Sequence, residues 1–149
     1  MRLTRYSDYS FRVLIYLALE PERLFSISEI AGAYGISQNH LVKVVHALSL
    51  NGLVKTVRGR SGGIKLARPA HEISVGEVFR CTEETMALAD CATCMLTPAC
   101  GLTGVLAQGM AAMMKVFDSR TIADLVQQGP ALRRQIARKA PQPRKTRAK

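Results

Sequence analysis

The chain has 149 residues, which is enough for one domain with a modest hydrophobic core and too few for two large ones. No apolar run approaches the roughly 18 residues that a membrane-spanning helix needs, and the N-terminus lacks the apolar block and cleavage site of a signal peptide. We therefore expect a cytoplasmic protein with no membrane partner. The net charge of +10 suggests a polyanionic partner such as nucleic acid.

The basic residues are unevenly distributed. Residues 133–149 hold eight Lys or Arg and no acidic residue, so the first 132 residues carry 13 basic against 11 acidic side chains, a net +2. We expect residues 129–149 to be a disordered basic tail that attracts phosphates without sequence preference. A second acid-free stretch lies between Glu29 and Glu72 and is the better candidate for a DNA surface. Its basic residues are Lys43, Lys55, Arg58, Arg60, Lys65 and Arg68.

The first part of the chain shows a pattern of helix, glycine turn and helix. Hydrophobic periodicity and helix-start signals predict helices over residues 4–19, 26–34 and 37–48. Ser26 and Glu29 have capping-box spacing, and Ser37 is the expected cap of the third helix. Gly35 supplies the backbone freedom of a tight turn between the second and third helices. This arrangement is typical of a helix-turn-helix.

The third predicted helix carries the residues expected to contact bases. Its inward stripe is Leu41, Val44 and Leu48, which leaves the polar residues at its start for the major groove. Glutamine and asparagine form bidentate hydrogen bonds with adenine. We therefore predict DNA contacts from Gln38, Asn39 and His40, with Lys43 one helical turn later.

A basic, glycine-rich turn at residues 58–63 separates two short β-prone segments, 53–57 and 64–67. This pattern predicts a β-hairpin, and a hairpin directly after a helix-turn-helix is a wing. Arg58 and Arg60 at its tip suit phosphates or a narrow minor groove. The glycines do not match a nucleotide-binding loop, because no strand, glycine loop and helix follow one another here.

A long apolar-faced helix is predicted after Cys100. Its apolar positions are Leu102, Val105, Leu106, Gly109, Met110, Met113 and Phe117. A small winged domain seldom needs such a helix for its own core, so we expect it to pair with a second copy of the chain. Gly109, Ala111 and Ala112 permit close approach, and the methionines tolerate imperfect packing.

The predicted fold is mainly α-helical with a small β-hairpin, and it combines a winged helix-turn-helix DNA-binding domain with a long C-terminal dimerisation helix. Ser74 and Glu77 predict a short helix before the cysteines, and a short final helix follows the long one. The expected divisions are residues 1–80 for the DNA-binding domain, 81–101 for a cysteine-bearing segment, 102–128 for the dimerisation and final helices, and 129–149 for the tail. A twofold dimer predicts an operator with inverted-repeat half-sites.

Three of the four cysteines, Cys91, Cys94 and Cys100, lie within ten residues. Structural disulfides are rare in reducing cytosol, so the cluster indicates metal binding or redox chemistry. Zinc prefers four ligands, and Cys81 could supply the fourth. An iron–sulfur cluster could instead take a weaker oxygen ligand. The spacing alone does not choose between zinc and iron–sulfur, and a Cys-x-x-Cys redox enzyme is the alternative of a different class.

Three stretches resemble the Rrf-type winged-helix iron–sulfur regulators, and within them the nitric-oxide-sensing repressors. They are MRLTRYSDYSFRVLIYLAL, SISEIAGAYGISQNHLVKVVHALSLNGLVKTVRGRSGGIKLARP and TPACGLTGVLAQGMAAMMKVFDSRTIADLV. The resemblance covers residues 1–128 and implies a homodimeric, DNA-binding transcription repressor that responds to nitric oxide. It also implies that Cys91, Cys94 and Cys100 hold an iron–sulfur cluster, with Asp8 from the partner subunit as a further ligand.

The chain departs from that family pattern at its cysteines. The gap between Cys91 and Cys94 is narrower than usual, and Cys81 is an additional cysteine. These differences leave open whether the cluster is [2Fe-2S] or [4Fe-4S] and whether Cys81 replaces a ligand. An iron-responsive or cluster-status regulator of the same fold is the nearest alternative function.

Overall fold

The protein folds into seven α-helices and one β-hairpin within residues 2–139, the part of the chain that this computed structural model describes. The helices are α1 Arg5–Ala18, α2 Ile27–Tyr34, α3 Gln38–Leu50, α4 Val75–Thr82, α5 Leu102–Asp118, α6 Ile122–Leu125 and α7 Gly129–Lys139, and the strands are β1 Val54–Val57 and β2 Gly63–Leu66. Single 3₁₀ turns occur at Ala70–Glu72 and Thr97–Ala99. The predicted mainly α-helical fold with a small hairpin is confirmed.

Ser26 and Ser74 are the N-cap residues of α2 and α4, as the sequence predicted. Ser26 Oγ accepts a hydrogen bond from the amide of Glu29 at 3.1 Å, and Ser74 Oγ accepts one from the amide of Glu77 at 3.0 Å. Each glutamate side chain pairs with an arginine outside its own helix. Ser37 precedes α3 but makes no side-chain capping bond, so that detail of the prediction is wrong.

One hydrophobic core lies between α1, α2, α3 and the hairpin and extends to α4 and α6. The predicted inward stripe of α3 is confirmed, because Leu41, Val44 and Leu48 are buried. Ile122 of α6 is fully buried, and its amide donates to the carbonyl of Ile73 at 2.9 Å. The short helix after α5 therefore shares the hydrophobic core of the N-terminal helices and the hairpin.

The hairpin is antiparallel, with Val54 opposite Leu66 and Val57 opposite Gly63. Phe25 joins it by exchanging two backbone hydrogen bonds with Ile64, at 3.0 and 2.8 Å. This bridge ties the segment before α2 to β2 and fixes the wing relative to the helix-turn-helix.

The C-terminal end of helix α5 packs against α4. Arg80 and Asp118 form an ion pair at 2.7 Å, and the rings of Phe79 and Phe117 meet edge to face with centroids 5.4 Å apart. Gly76 permits this approach, since a Cβ at that position would collide with the Asp118 carboxylate. The segment that bears the clustered cysteines connects the C-terminus of α4 to the N-terminus of α5.

The predicted tail differs from the structure at its start, because Gly129–Lys139 forms α7 and packs against α2. Arg133 donates a hydrogen bond to the carbonyl of Leu19, at the end of α1. Leu132 and Ile136 lie one helical turn apart and are partly buried, an amphipathic pattern that the basic composition obscured. The predicted disorder is therefore wrong for residues 129–139, and residues 140–149 lie outside the described part of the chain.

Among the helices described between residues 2 and 139, none has the length and apolar character needed to cross a bilayer.

Candidate DNA-binding surface and cysteine loop

The turn between α2 and α3 depends on Gly35. Its φ is 64°, in the left-handed region that glycine adopts without steric cost. The next amide, that of Ile36, donates to the carbonyl of Ala31 at 3.0 Å and closes the end of α2. The chain then turns directly into α3, so the start of α3 is held at the surface.

The residues predicted to contact bases all lie on the outer face of α3. Leu41 and Val44 occupy the opposite, buried face of this part of the helix. The side chains of Gln38, Asn39, His40 and Lys43 are all exposed to solvent, as is that of Val42. The structure thus brings the four predicted residues together on one accessible face.

His40 is also in contact with α1. Its ring centroid lies 6.5 Å from that of Tyr9, with 34° between the planes. The first turn of α3 is therefore positioned partly by a side chain of α1.

The wing presents its two predicted arginines at the tip of the hairpin. Arg58 and Arg60 are exposed on either side of Gly59, whose φ is 117°. The amide of Gly62 donates to the carbonyl of Gly59 at 3.0 Å and closes the turn.

Further basic residues line the groove between α3 and the wing. His46, Ser49, Lys55 and Arg58 border this groove. Lys55 lies directly opposite Lys65 across the hairpin, and like charges at such a pair repel each other. A bound phosphate would relieve that repulsion. Lys55 and Lys65 both belong to the acid-free basic stretch that the sequence indicated as a candidate DNA surface.

Arg68 does not belong to the basic surface that the acid-free stretch suggested. One of its guanidinium nitrogens donates to Glu77, and another donates to the carbonyl of Glu72 at 2.9 Å. Arg68 thus connects the end of β2 to α4, and its positive charge is paired with the Glu77 carboxylate.

The cysteine loop, residues 83–101, joins α4 to α5 and winds with a three-residue repeat. The amide of Cys94 donates to the carbonyl of Cys91 at 3.4 Å, that of Thr97 to Cys94 at 3.2 Å, and that of Cys100 to Thr97 at 3.3 Å. Only Thr97–Ala99 of this stretch forms a 3₁₀ turn, so the three bonds mark successive turns rather than a continuous helix. These turns connect the three clustered cysteines along the loop backbone. The Thr97 hydroxyl also donates to the carbonyl of Cys91 at 2.6 Å.

Cys81 lies in a different environment, on α4 against the hydrophobic core. Its thiol donates to the carbonyl of Val78 at 3.2 Å. Burial raises the pKa of the Cys81 thiol, and the nearby Glu77 carboxylate raises it further. Because metals bind the thiolate, this environment favours a structural Cys81 over a ligand.

The loop cysteines have the chemistry of a soft-metal site, although their side chains do not converge. Within residues 2–139 no three Cys, His, Asp or Glu side chains are grouped as a metal site. All three loop cysteines are free thiols at least partly accessible to solvent, and sulfur donors of this kind suit iron–sulfur clusters and zinc. The donor set fits either group.

Asp8 lies in the first turn of α1 and faces Arg12. The Arg12 guanidinium approaches both Asp8 carboxylate oxygens at 3.0–3.1 Å, and both side chains are about half exposed. Asp8 is thus accessible to a second chain.

Glu83 caps α1 from outside that helix. One of its carboxylate oxygens accepts the amide of Thr4 at 2.9 Å, the hydroxyl of Thr4 at 3.2 Å and the hydroxyl of Ser7 at 2.5 Å. Burial acts to raise the pKa of Glu83, but these hydrogen bonds outweigh it and lower the pKa. The cysteine loop is therefore anchored, at its first residue, to the helix that contacts His40.

The exposed surface of α5 forms an apolar stripe. No residue of this helix is fully buried. The single predicted apolar face is divided between two sides of the helix. The inner side is partly buried and consists of Leu106, Met110, Met113 and Phe117. The outer side has alternating three- and four-residue spacing and consists of Leu102, Val105, Gly109, Ala112 and Val116. The side chains of Val105 and Val116 in this stripe are 64% and 58% exposed. A contiguous exposed apolar stripe of this kind is unusual in a monomer.

Comparisons with known proteins agree with this geometry. A model of the Rrf2 family, described as an iron-dependent transcriptional regulator, matches residues 3–128. A protein of Shouchella clausii (strain KSM-K16) named HTH-type transcriptional regulator NsrR is 48% identical over 132 residues, which cover 85% of this chain and 89% of the relative. A protein of the same name from Bacillus subtilis (strain 168) is 46% identical over 132 residues, covering 85% and 90%.

Solved structures have the same fold. The structure of CymR (YrzC), the global cysteine regulator of B. subtilis, superposes with a TM-score of 0.75 at 25% identity, covering 86% of this chain and 98% of that one. The structure of T. potens IscR superposes with a TM-score of 0.72 at 27% identity, covering 86% and 88%.

Proposed function

Because the chain belongs to the Rrf2 family of transcriptional regulators, we propose that it is a DNA-binding repressor that holds an iron–sulfur cluster and senses nitric oxide through it. The relatives are named as regulators, so the chain is not an enzyme and the Cys-x-x-Cys redox enzyme is set aside. The observation that carries the proposal is that Cys91, Cys94 and Cys100 are free, solvent-accessible thiols on one loop and are connected by successive backbone turns.

Cys91, Cys94 and Cys100 are the proposed ligands, with Asp8 of the partner subunit as a further one. When bound, such a cluster supplies iron with which nitric oxide reacts. We leave Cys81 out of the ligand set, because its place against the core and its raised thiol pKa favour the protonated thiol. The Thr97 hydroxyl and the backbone bonds along the loop restrain the backbone between the three cysteines.

The apolar stripe of α5 supports a homodimer. Five small or apolar residues with alternating spacing provide a seam that a second copy of α5 can cover. The two winged domains would then contact inverted-repeat half-sites on one operator. Gln38 and Asn39 would contact bases, while Arg58 and Arg60 of the wing would contact phosphates or the minor groove.

The anchoring of Glu83 supports a path for the signal. The cysteine loop begins at Glu83, Glu83 caps α1, and Tyr9 of α1 contacts His40 of α3. If the cluster is lost, its three thiolate ligands no longer restrain the loop. The part of the loop that is freed lies beside the residue, Glu83, that caps α1. A small shift of α1 then moves α3, and two half-sites at a fixed distance no longer engage both domains at once.

The ligand set is tested by purification without oxygen, followed by iron analysis and visible absorption spectroscopy. We expect broad visible absorption and iron in the wild type and in Cys81→Ala, and loss of both in single alanine variants of Cys91, Cys94 or Cys100. A colourless, zinc-loaded wild type that resists anaerobic reconstitution would refute the cluster.

The switch is tested by operator binding of loaded, cluster-free and nitric-oxide-treated protein at one salt concentration. A ligand shifts an equilibrium only if it stabilises the two states differently, so loaded and cluster-free protein must differ in operator affinity. For the proposed repressor we expect the loaded form to bind most tightly. Equal affinities in all three states would refute the switch.

An iron-responsive regulator of the same fold is the second candidate, because the matching family is described as iron-dependent. It uses the same residues and differs only in its signal. Loss of operator binding on iron depletion, without a response of the loaded protein to nitric oxide, would favour this candidate.

A further inference from the structure

Helix α7 lies beyond the part of the chain that the family model matches. That match ends at residue 128, and α7 occupies Gly129–Lys139. Helix α7 therefore lies outside the region that the family model describes.

The helix is docked on the DNA-binding unit. Arg133 donates to the carbonyl of Leu19, so the first half of α7 is held at the end of α1. Ile136 and Ala137 share a groove with Ala33, which lies near the end of α2 and two residues before Gly35. The second half of α7 thus lies near the turn that leads into α3.

The outward side of α7 is basic. Arg134 and Arg138 are one helical turn apart, are exposed, and form no ion pair within residues 2–139. No acidic residue follows Asp124 in the sequence. The two guanidinium groups are therefore available to an external anion, and arginine suits the geometry of phosphate.

We propose that Arg134 and Arg138 of α7 form a second DNA-contacting surface, which binds phosphates of the duplex beside the half-site read by α3. The partner is duplex DNA because the surface lies on the unit that carries the recognition helix. Phosphate contacts position a protein on DNA but carry no sequence information, so this surface would add affinity without altering base preference. The inference rests on the proposed DNA-binding function.

The test uses the full chain with both arginines replaced, Arg134→Gln and Arg138→Gln. Glutamine has a helix propensity close to that of arginine, so α7 should remain folded, which far-ultraviolet circular dichroism and the thermal midpoint would verify. Binding is measured over a series of salt concentrations, on a duplex selected by the wild type from a random pool and on an unrelated duplex of equal length.

We expect the slope of log affinity against log salt to fall by about 0.9 for each arginine that contacts a phosphate, equally on both duplexes. The charge-retaining variant Arg134→Lys with Arg138→Lys should keep the wild-type slope. A matched control, Lys115→Gln with Arg120→Gln, removes two exposed charges near the end of α5 and should also keep it.

An unchanged slope in the α7 glutamine variant would overturn the proposal, as would an equal fall in the matched control. A loss of preference for the selected duplex would mean that α7 contacts bases, which also contradicts the proposal. If the wild type selects no duplex at all, the proposed DNA-binding function fails. If it selects one and the slope is unchanged, only the inference about α7 fails.

Discussion

The Glu83 carboxylate accepts a 2.5 Å hydrogen bond from the hydroxyl of Ser7, a residue 76 positions earlier in the chain. The same oxygen accepts the amide of Thr4, so a carboxylate from the cysteine loop occupies the positive end of the α1 dipole. The position of the loop and the start of α1 are consequently fixed by one side chain.

Replacement of Glu83 by alanine should lower the free energy of unfolding by about 1–2 kcal/mol, because it removes the acceptor at a helix start. The control is Glu84→Ala, one residue later and exposed, for which we expect a change within roughly 0.5 kcal/mol. Urea denaturation of both variants checks the prediction. Equal changes would show that the cap contributes nothing specific.

The contribution of Glu83 should depend on pH. Its pKa is lowered in the folded state, so its ionised form stabilises the fold above the unfolded carboxyl pKa of about 4.3. That stabilisation is lost as the pH falls through the lower, folded pKa. The difference in unfolding free energy between wild type and Glu83→Gln should therefore be largest near neutral pH and shrink below about pH 4. Urea denaturation from pH 7 to pH 3 measures it, and a difference that is constant with pH would contradict the assignment.

Gly76→Ala should destabilise the protein by about 1 kcal/mol, because its Cβ would displace the half-exposed Asp118 carboxylate from its ion pair with Arg80. Adding Asp118→Ala removes the colliding atoms, so the double variant should lose less than the sum of the two single variants. Gly32→Ala is the control, since a Cβ there meets open space. Thermal and urea denaturation of the four variants complete the cycle, and additive losses would refute the contact.

Base recognition by α3 should be separable from phosphate contact by the wing. Gln38→Ala or Asn39→Ala should reduce discrimination at particular base pairs by roughly 1–3 kcal/mol, whereas Arg60→Ala should weaken binding evenly across sequences. Gln128→Ala, an exposed glutamine after α6, serves as the control. Binding to a panel of single-base-pair operator variants checks this. Wild-type selectivity in both α3 variants would show that α3 does not recognise bases through these residues.

A charge on the outer stripe of α5 should separate the two copies of a dimer. Val105→Asp places a carboxylate in the proposed seam, while Gln108→Asp adds the same charge at a nearby exposed position outside the stripe. We expect a monomer for the first variant and a dimer for the second in sedimentation experiments, with wild-type circular dichroism for both. A dimeric Val105→Asp variant would place the interface elsewhere.

The helix-turn-helix could be predicted because its signals are local. Ser26, Gly35 and the spacing of Leu41 and Val44 each act within a few residues, and local hydrogen bonds and one-sided burial carry that information directly. The basic turn of the wing is equally local. The element boundaries from residue 4 to residue 66 accordingly agree with the structure to within about three residues.

Long-range relationships could not be predicted from the sequence. Nothing in the residues around Glu83 indicates that it caps α1, and the bridge between Phe25 and Ile64 joins segments about forty residues apart. Arg68 illustrates the same limit, because an acid-free segment does not reveal a salt bridge to an acid that follows it. Helix α7 was missed because its high charge resembled that of a disordered tail.

Successive backbone turns already connect Cys91, Cys94 and Cys100, although their three side chains do not converge. Binding of a common partner would therefore require the thiols to move within a segment whose backbone is already partly hydrogen-bonded. The entropic cost of forming the site would then fall on the cysteine side chains and on the few residues between the turns.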